Sequence, residues 1–271
     1  LRLLCSILLL LAPLAAQAQQ SASNWEAYLN AAASAAAEMK YVLAEQLAAQ
    51  AMKESEHYAQ NDPRYASTLN TTGLIWMADN KPKEAEPLFR RALASFEKAY
   101  GADSMDAANT CYNLSDSLRR QGNYSTAEPI LQRTLQTYLS FLGLESPKVA
   151  QVYYLIGDTQ RHLHNYLNAE LNLKRAADMR EAQEGMESVA LADALHSLAL
   201  CYAAQYKYGA AEPLFKLSLN IREARYGLND KSVAESLESY AAMLREAGRV
   251  KDSEKLTALA EVITKTLRTG K

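Results

Sequence analysis

Four glycines, Gly101, Gly143, Gly185 and Gly227, stand 42 residues apart. A constant step of this size restricts a chain to stacked repeats, because each unit is one supersecondary element that cannot bury its apolar face alone. Other positions keep the same step. Asp62, Ser104, Ser146, Ser188 and Asp230 are all N-cap residue types, and Pro63 and Pro147 follow two of them where a helix begins. Each first helix is expected to stop near Asn80, Gly122, His164, Tyr206 or Gly248. Asn and Gly accept the left-handed conformation that ends a helix. His164 and Tyr206 suit it less, so irregular turns are expected there.

The composition agrees with helices. Val and Ile are few, while Ala, Leu, Glu, Lys, Gln and Arg dominate, and these are strong helix formers. Hydrophobic residues make up 49% of the 271-residue chain and charged residues 22%, enough for a core and for solvated faces. The 29 basic and 31 acidic residues leave a net charge of −2, which argues against a nucleic-acid partner.

The second helix of each repeat carries the strongest signature. It reads Ala85-Glu86-Pro87-Leu88-Phe89, Ala127-Glu128-Pro129-Ile130-Leu131, Ala169-Glu170-Leu171-Asn172-Leu173 and Ala211-Glu212-Pro213-Leu214-Phe215. Small residues recur at Ala85, Ala127, Ala169, Ala211 and Ser253, and again at Ala92, Thr134, Ala176, Ser218 and Ala260. They allow two helices to approach, and Phe89, Leu131, Leu173 and Phe215 fill the space between hairpins. Each repeated Glu is expected at a second-helix start, where it would serve the helix dipole.

This pattern, with Tyr124, Tyr166 and Tyr208 at the turns and the closing Gly, resembles the tetratricopeptide repeat in the 42-residue form of kinesin light chains. The resemblance implies an all-α, right-handed α-solenoid of antiparallel helix pairs. It covers five repeats, 61–101, 102–143, 144–185, 186–227 and 228–271, preceded by a degenerate helix pair over 19–60. Thr72 and Cys111 are weak versions of the expected apolar residues, and Thr257 replaces the bulky one in the last repeat. Thr257, Glu261, Lys265 and Arg268 are expected to give the last helix a polar outer side.

Residues 1–18 differ from the rest. Arg2, an apolar run from Leu3 to Leu14 and the closing Ala16-Gln17-Ala18 resemble a bacterial signal peptide cleaved after Ala18. An exported, periplasmic or secreted protein without a membrane span is therefore expected. Cys111 and Cys201, more than two repeats apart, are expected to be free buried thiols.

No phosphate loop, nucleophile elbow or metal-binding spacing is present. His162 and His164, two residues apart, point away from each other on a helix. No enzyme, cofactor or metal is expected. The family resemblance instead implies a concave groove lined by the first helices, holding a protein or peptide. Its inward positions would be Asn70, Tyr112, Tyr154 and His196, then Asn113 and Ser197, then Asp116 and Asp158, then Arg119 and Arg161. Tyr112, Tyr154 and His196 would form a polar-tipped aromatic strip. Asn113 offers both donor and acceptor to a peptide backbone, and the arginines suit a carboxylate. Asp116 with Arg119 or Arg120, and Asp158 with Arg161, also suit plain pairing along one helix. The function expected is a non-catalytic interaction scaffold of the bacterial envelope; the alternative is a self-associating assembly component.

Overall fold

The computed structural model describes residues 24–269, so the leader-like segment 1–18 lies outside the described residues. Twelve helices and no strand are found among them. An initial pair, α1 (24–37) and α2 (Tyr41–Ser55), precedes five longer ones. The first helices of these pairs are α3 (Pro63–Ala78), α5 (Met105–Arg120), α7 (Pro147–His162), α9 (Val189–Ala204) and α11 (Lys231–Glu246). The second helices are α4 (Pro82–Tyr100), α6 (Tyr124–Leu142), α8 (Tyr166–Glu184), α10 (Tyr208–Tyr226) and α12 (Val250–Thr269). Both series start every 42 residues. The chain forms two compact units, Leu1–Thr137 and Tyr138–Lys271, with the division inside α6.

Helix starts follow the cap residues with one exception. Asp62, Ser104, Ser188 and Asp230 each accept a hydrogen bond from a backbone N–H of the first turn. Ser146 has the extended backbone of an N-cap, but its side chain makes no capping bond. There Pro147 presets the helix without it.

The turns inside the hairpins are more uniform than their residue types suggest. Asn80, His164 and Tyr206 take φ of 57°, 59° and 61°, alongside Gly122 at 80° and Gly248 at 79°. In each turn the next N–H reaches back to close the helix: Lys81 to Trp76 at 2.8 Å, Asn165 to Gln160 at 2.9 Å, Lys207 to Tyr202 at 2.9 Å. The expected irregularity is absent. The rings of His164 and Tyr206 lie edge-on to those of Tyr166 and Tyr208, at 5.8 and 6.2 Å, which offsets part of the cost of a left-handed non-glycine residue. The repeat glycines answer a different need. Gly185 at φ 84°, ψ 175° occupies a region essentially open to glycine alone, and this explains the 42-residue spacing.

In the first unit, Ala85, Phe89, Leu114, Leu118 and Ala127 form one core cluster, and α1, α2 and Ile75 form another made largely of alanines. In the second unit, Leu173, Leu198, Phe215, Tyr240 and Leu244 share one cluster, and Val233, Leu237, Ala260 and Ile263 another. Both second-helix small series are buried throughout, while Thr257 is half-buried. A further small series lies on the first helices: Gly73, Ser115, Gly157, Ala199 and Ala241. A Cβ on Gly73 would come 2.6 Å from the Phe89 ring, and one on Gly157 would meet Leu173 at 2.7 Å. In these two hairpins the bulky residue of the second helix thus lies directly on the backbone of its own first helix. On the last helix Glu261, Lys265 and Arg268 are exposed as expected, and Leu259 and Val262 are exposed beside them.

Candidate functional site

In the first unit, α5 places Tyr112, Asp116 and Arg120 on one face, four residues apart, with Asn113 next to Tyr112. Together with Tyr41 at the start of α2 and Leu74, Met77 and Ala78 of α3, they line a cleft of about 460 Å³. Asn113 Nδ2 donates to Asn70 Oδ1 at 3.0 Å across α5 and α3. That bond leaves the Asn70 amide N–H groups and the Asn113 carbonyl with capacity for a main chain laid along the cleft. Leu74, 43% exposed, supplies apolar surface beside them.

Asp116 pairs with Arg120 at 3.1 Å and with Arg119 at 3.7 Å. Arg120 also donates to the Met77 carbonyl at 3.4 Å, near the C-terminus of α3, where a cation is favoured. Two guanidinium groups thus share one carboxylate here.

In the second unit the corresponding carboxylate is more enclosed. Arg161 donates to Asp158 Oδ1 through Nη2 at 2.7 Å and Nε at 3.2 Å, and Asp158 is buried. The ring of Tyr154 lies beneath the Arg180 guanidinium at 4.5 Å, and buried Arg180 also bonds Gln151 and the Ala190 carbonyl. His196 packs edge-on against Phe215 at 5.4 Å, and its buried Nδ1 has no hydrogen-bond partner among the described residues. Burial, then the charges of Arg222 and Arg161, pull this imidazole down to about 4, so it is neutral at ordinary pH. The polar-tipped role expected of His196 is replaced by packing. Ser197 is likewise buried.

The structure therefore brings Asn70, Tyr112, Asn113, Asp116 and Arg119 together in the first unit, and Tyr154, Asp158, Arg161 and His196 in the second. Tyr41 and Leu74 were not anticipated. Leu74 was visible as the residue one turn after Asn70; Tyr41 was hidden because the α2 pattern runs one residue out of phase. The repeated Glu lies beyond the first turn of its helix, so the expected dipole role is replaced by pairing with the next hairpin. Glu170 receives Lys207 and Tyr202, and Glu212 receives Arg249 and Tyr240, each from the following hairpin. Cys111 and Cys201 are free and buried.

Sequence models of the tetratricopeptide repeat match residues 73–140, 106–182 and 191–230. None of the curated proteins matches the sequence. Among solved structures, BtubC (BKLC) from P. vanneervenii is similar with a TM-score of 0.67 and 18% identity, over 83% of this chain and 91% of that one. A putative kinesin light chain of Podosopora anserina with nearly identical TPR-like repeats has a TM-score of 0.64 and 16% identity, over 78% and 100%. A Rap protein complexed with competence and sporulation factor has a TM-score of 0.59 and 15% identity, over 92% and 77%. At these identities the likeness is one of fold.

Proposed function

Because the chain belongs to the tetratricopeptide-repeat family, we propose that it is a non-catalytic scaffold holding an extended segment of a partner protein on its first helices. The observation that carries this reading is the first-unit cleft, with the Asn70–Asn113 amide pair beside the apolar surface of Leu74. An extended segment offers alternating N–H and C=O groups, which the amide pair matches without regard to side chain. The cleft is preformed, so little ordering cost falls on the scaffold, and micromolar affinity, about −8 kcal/mol, is expected. The Rap protein in complex with its factor supports the reading by analogy of fold. In the second unit, Arg161 and Tyr154 would add the lesser contacts.

We place this activity in the bacterial envelope, on the strength of the leader-like residues 1–18. Export is tested by N-terminal sequencing of the protein recovered from cells: Gln19 as first residue is expected, and an uncleaved cytoplasmic protein rejects the placement.

The scaffold role is tested by crosslinking in the native envelope with the wild type and with Tyr112→Ala/Asn113→Ala and Arg161→Ala variants. Partners dependent on Tyr112 and Asn113 are expected. Identical partners at equal yield from the double variant reject the cleft. A second reading, self-association, is favoured by exposed Leu259 and Val262 on α12. Light scattering over a concentration series decides it: a strict monomer removes this option.

A further inference from the structure

We infer that a second cavity in the first unit, between α2, α3 and α4, binds a small neutral aromatic molecule carrying one hydroxyl group, of the phenol class. The cavity holds about 300 Å³ and shares no residue with the cleft described above. This inference does not depend on the scaffold reading.

The cavity has a cause in the repeat pattern. Residues Ala44-Glu45-Gln46-Leu47-Ala48 of α2 align with Ala85-Glu86-Pro87-Leu88-Phe89 of α4. Ala48 therefore stands where the next second helix carries Phe89, and a benzyl group is missing from the layer. Ala48, Ala49 and Met52 form one wall, and Ile75, Trp76 and Leu88 the other. An apolar cavity of about 150 Å³ already accommodates benzene, so a substituted ring fits the larger volume. The Trp76 ring and the Met52 thioether both favour aromatic company.

Thr72 identifies the polar atom of the occupant. It lines the cavity, is 7% exposed, and its buried Oγ1 has no hydrogen-bond partner among the described residues. A threonine within a helix usually turns its hydroxyl to the carbonyl four residues back. Thr68 does so to Arg64 and Thr110 to Asp106, both at 2.8 Å. Thr72 does not, and at its register the later repeats carry Leu114, Ile156 and Leu198. Rotation about χ1 presents the hydroxyl to the cavity, where it can donate to or accept from one O–H.

The surroundings select a neutral molecule. Seven of the ten lining residues are uncharged, and Glu45, Lys53 and Glu56 complete the lining. Glu45 is paired with Lys81 at 2.7 Å, and the Lys81 ammonium lies over the Trp76 ring at 4.7 Å. A neutral ring lies against the apolar walls without the cost of stripping water from an ion.

The test is calorimetric titration of the purified chain with phenol and with toluene, a ring of similar size without the hydroxyl. Saturable binding of one phenol per chain is expected, about fivefold tighter than toluene. Thr72→Val should bring phenol to the affinity of toluene. Ala48→Phe, which restores the missing ring, should abolish binding of both, with the fold checked by circular dichroism. If that variant does not fold, Ala48→Leu serves the same purpose. Absence of saturable phenol binding, equal affinities for phenol and toluene, or unchanged binding to a folded cavity-filled variant each overturns the proposal.

Discussion

Arg249 donates to Glu212 Oε2 at 2.7 Å, joining the second turn of α10 to the turn that opens α12. Tyr240 of α11 donates to the other carboxylate oxygen at 2.9 Å, so one acid fastens the following hairpin at two points. Lys216, then Arg249 and Tyr240, hold the Glu212 carboxyl down to about 2. A depressed carboxyl stabilises the folded state above its unfolded value, near 4.5, and that contribution is lost as pH falls towards 2. Its cationic partners are half exposed, so solvent screening keeps each pair weak. We expect Glu212→Gln to lower the melting temperature at pH 7 and to flatten its decline below pH 4.5, as followed by thermal circular dichroism.

His196 acts in a different pH window. Its imidazole titrates at about 4 when folded and near 6.5 when unfolded, mainly because burial penalises the charged ring. Between those values the unfolded chain binds the additional proton, so stability falls as the solution is acidified. The expected loss is about 1–3 kcal/mol. A His196→Phe variant should show no such loss between pH 6.5 and 4 in urea titrations. An unaltered pH dependence would refute the assignment.

Gly157 is a site of close approach. A methyl group there meets Leu173 Cγ at 2.7 Å, the Leu173 backbone nitrogen at 3.0 Å and the Ala169 carbonyl oxygen at 3.1 Å. Backbone cannot yield as a side-chain tip does, so Gly157→Ala should cost about 1–3 kcal/mol through overpacking. Gly185→Ala meets nothing within 4 Å, and its cost, also about 1–3 kcal/mol, comes from conformation alone. Crystal structures of the two variants separate the mechanisms: displaced helices for the first, an altered turn for the second.

The caps are unequal despite their common register. Asp230 accepts from the Ser232 N–H at 2.7 Å, whereas Ser146 makes no side-chain capping bond. Asp230→Ala should therefore cost about 1 kcal/mol, and Ser146→Ala only a few tenths. Chemical denaturation of both variants measures the difference; equal losses would mean that Ser146 caps its helix in solution.

The architecture was legible because its instructions are local and repeated: a cap, a left-handed turn, two small residues and a glycine recur every 42 positions. Where the reading failed, the deciding neighbour lay on another helix. Nothing in the residue type of His164 or Tyr206 reveals the tyrosine ring that packs against it two positions on. The small series on the first helices escaped notice because Gly73, Ser115, Gly157, Ala199 and Ala241 share size but not identity. The site was legible as a set of positions, not as a set of partnerships. Asn113 with Asn70, Tyr154 with Arg180 and His196 with Phe215 arise from helix-to-helix placement, which spacing along one helix cannot convey.

The backbone bonds closing each left-handed turn span at most five residues, as from Lys207 to Tyr202 or Asn165 to Gln160. Such a joint carries its own wiring and borrows no backbone partner from distant sequence. Gene duplication or loss in whole multiples of the period would leave every splice chemically complete. The length of a protein built this way is thus open to evolutionary trial, hairpin by hairpin, without redesign of the joints.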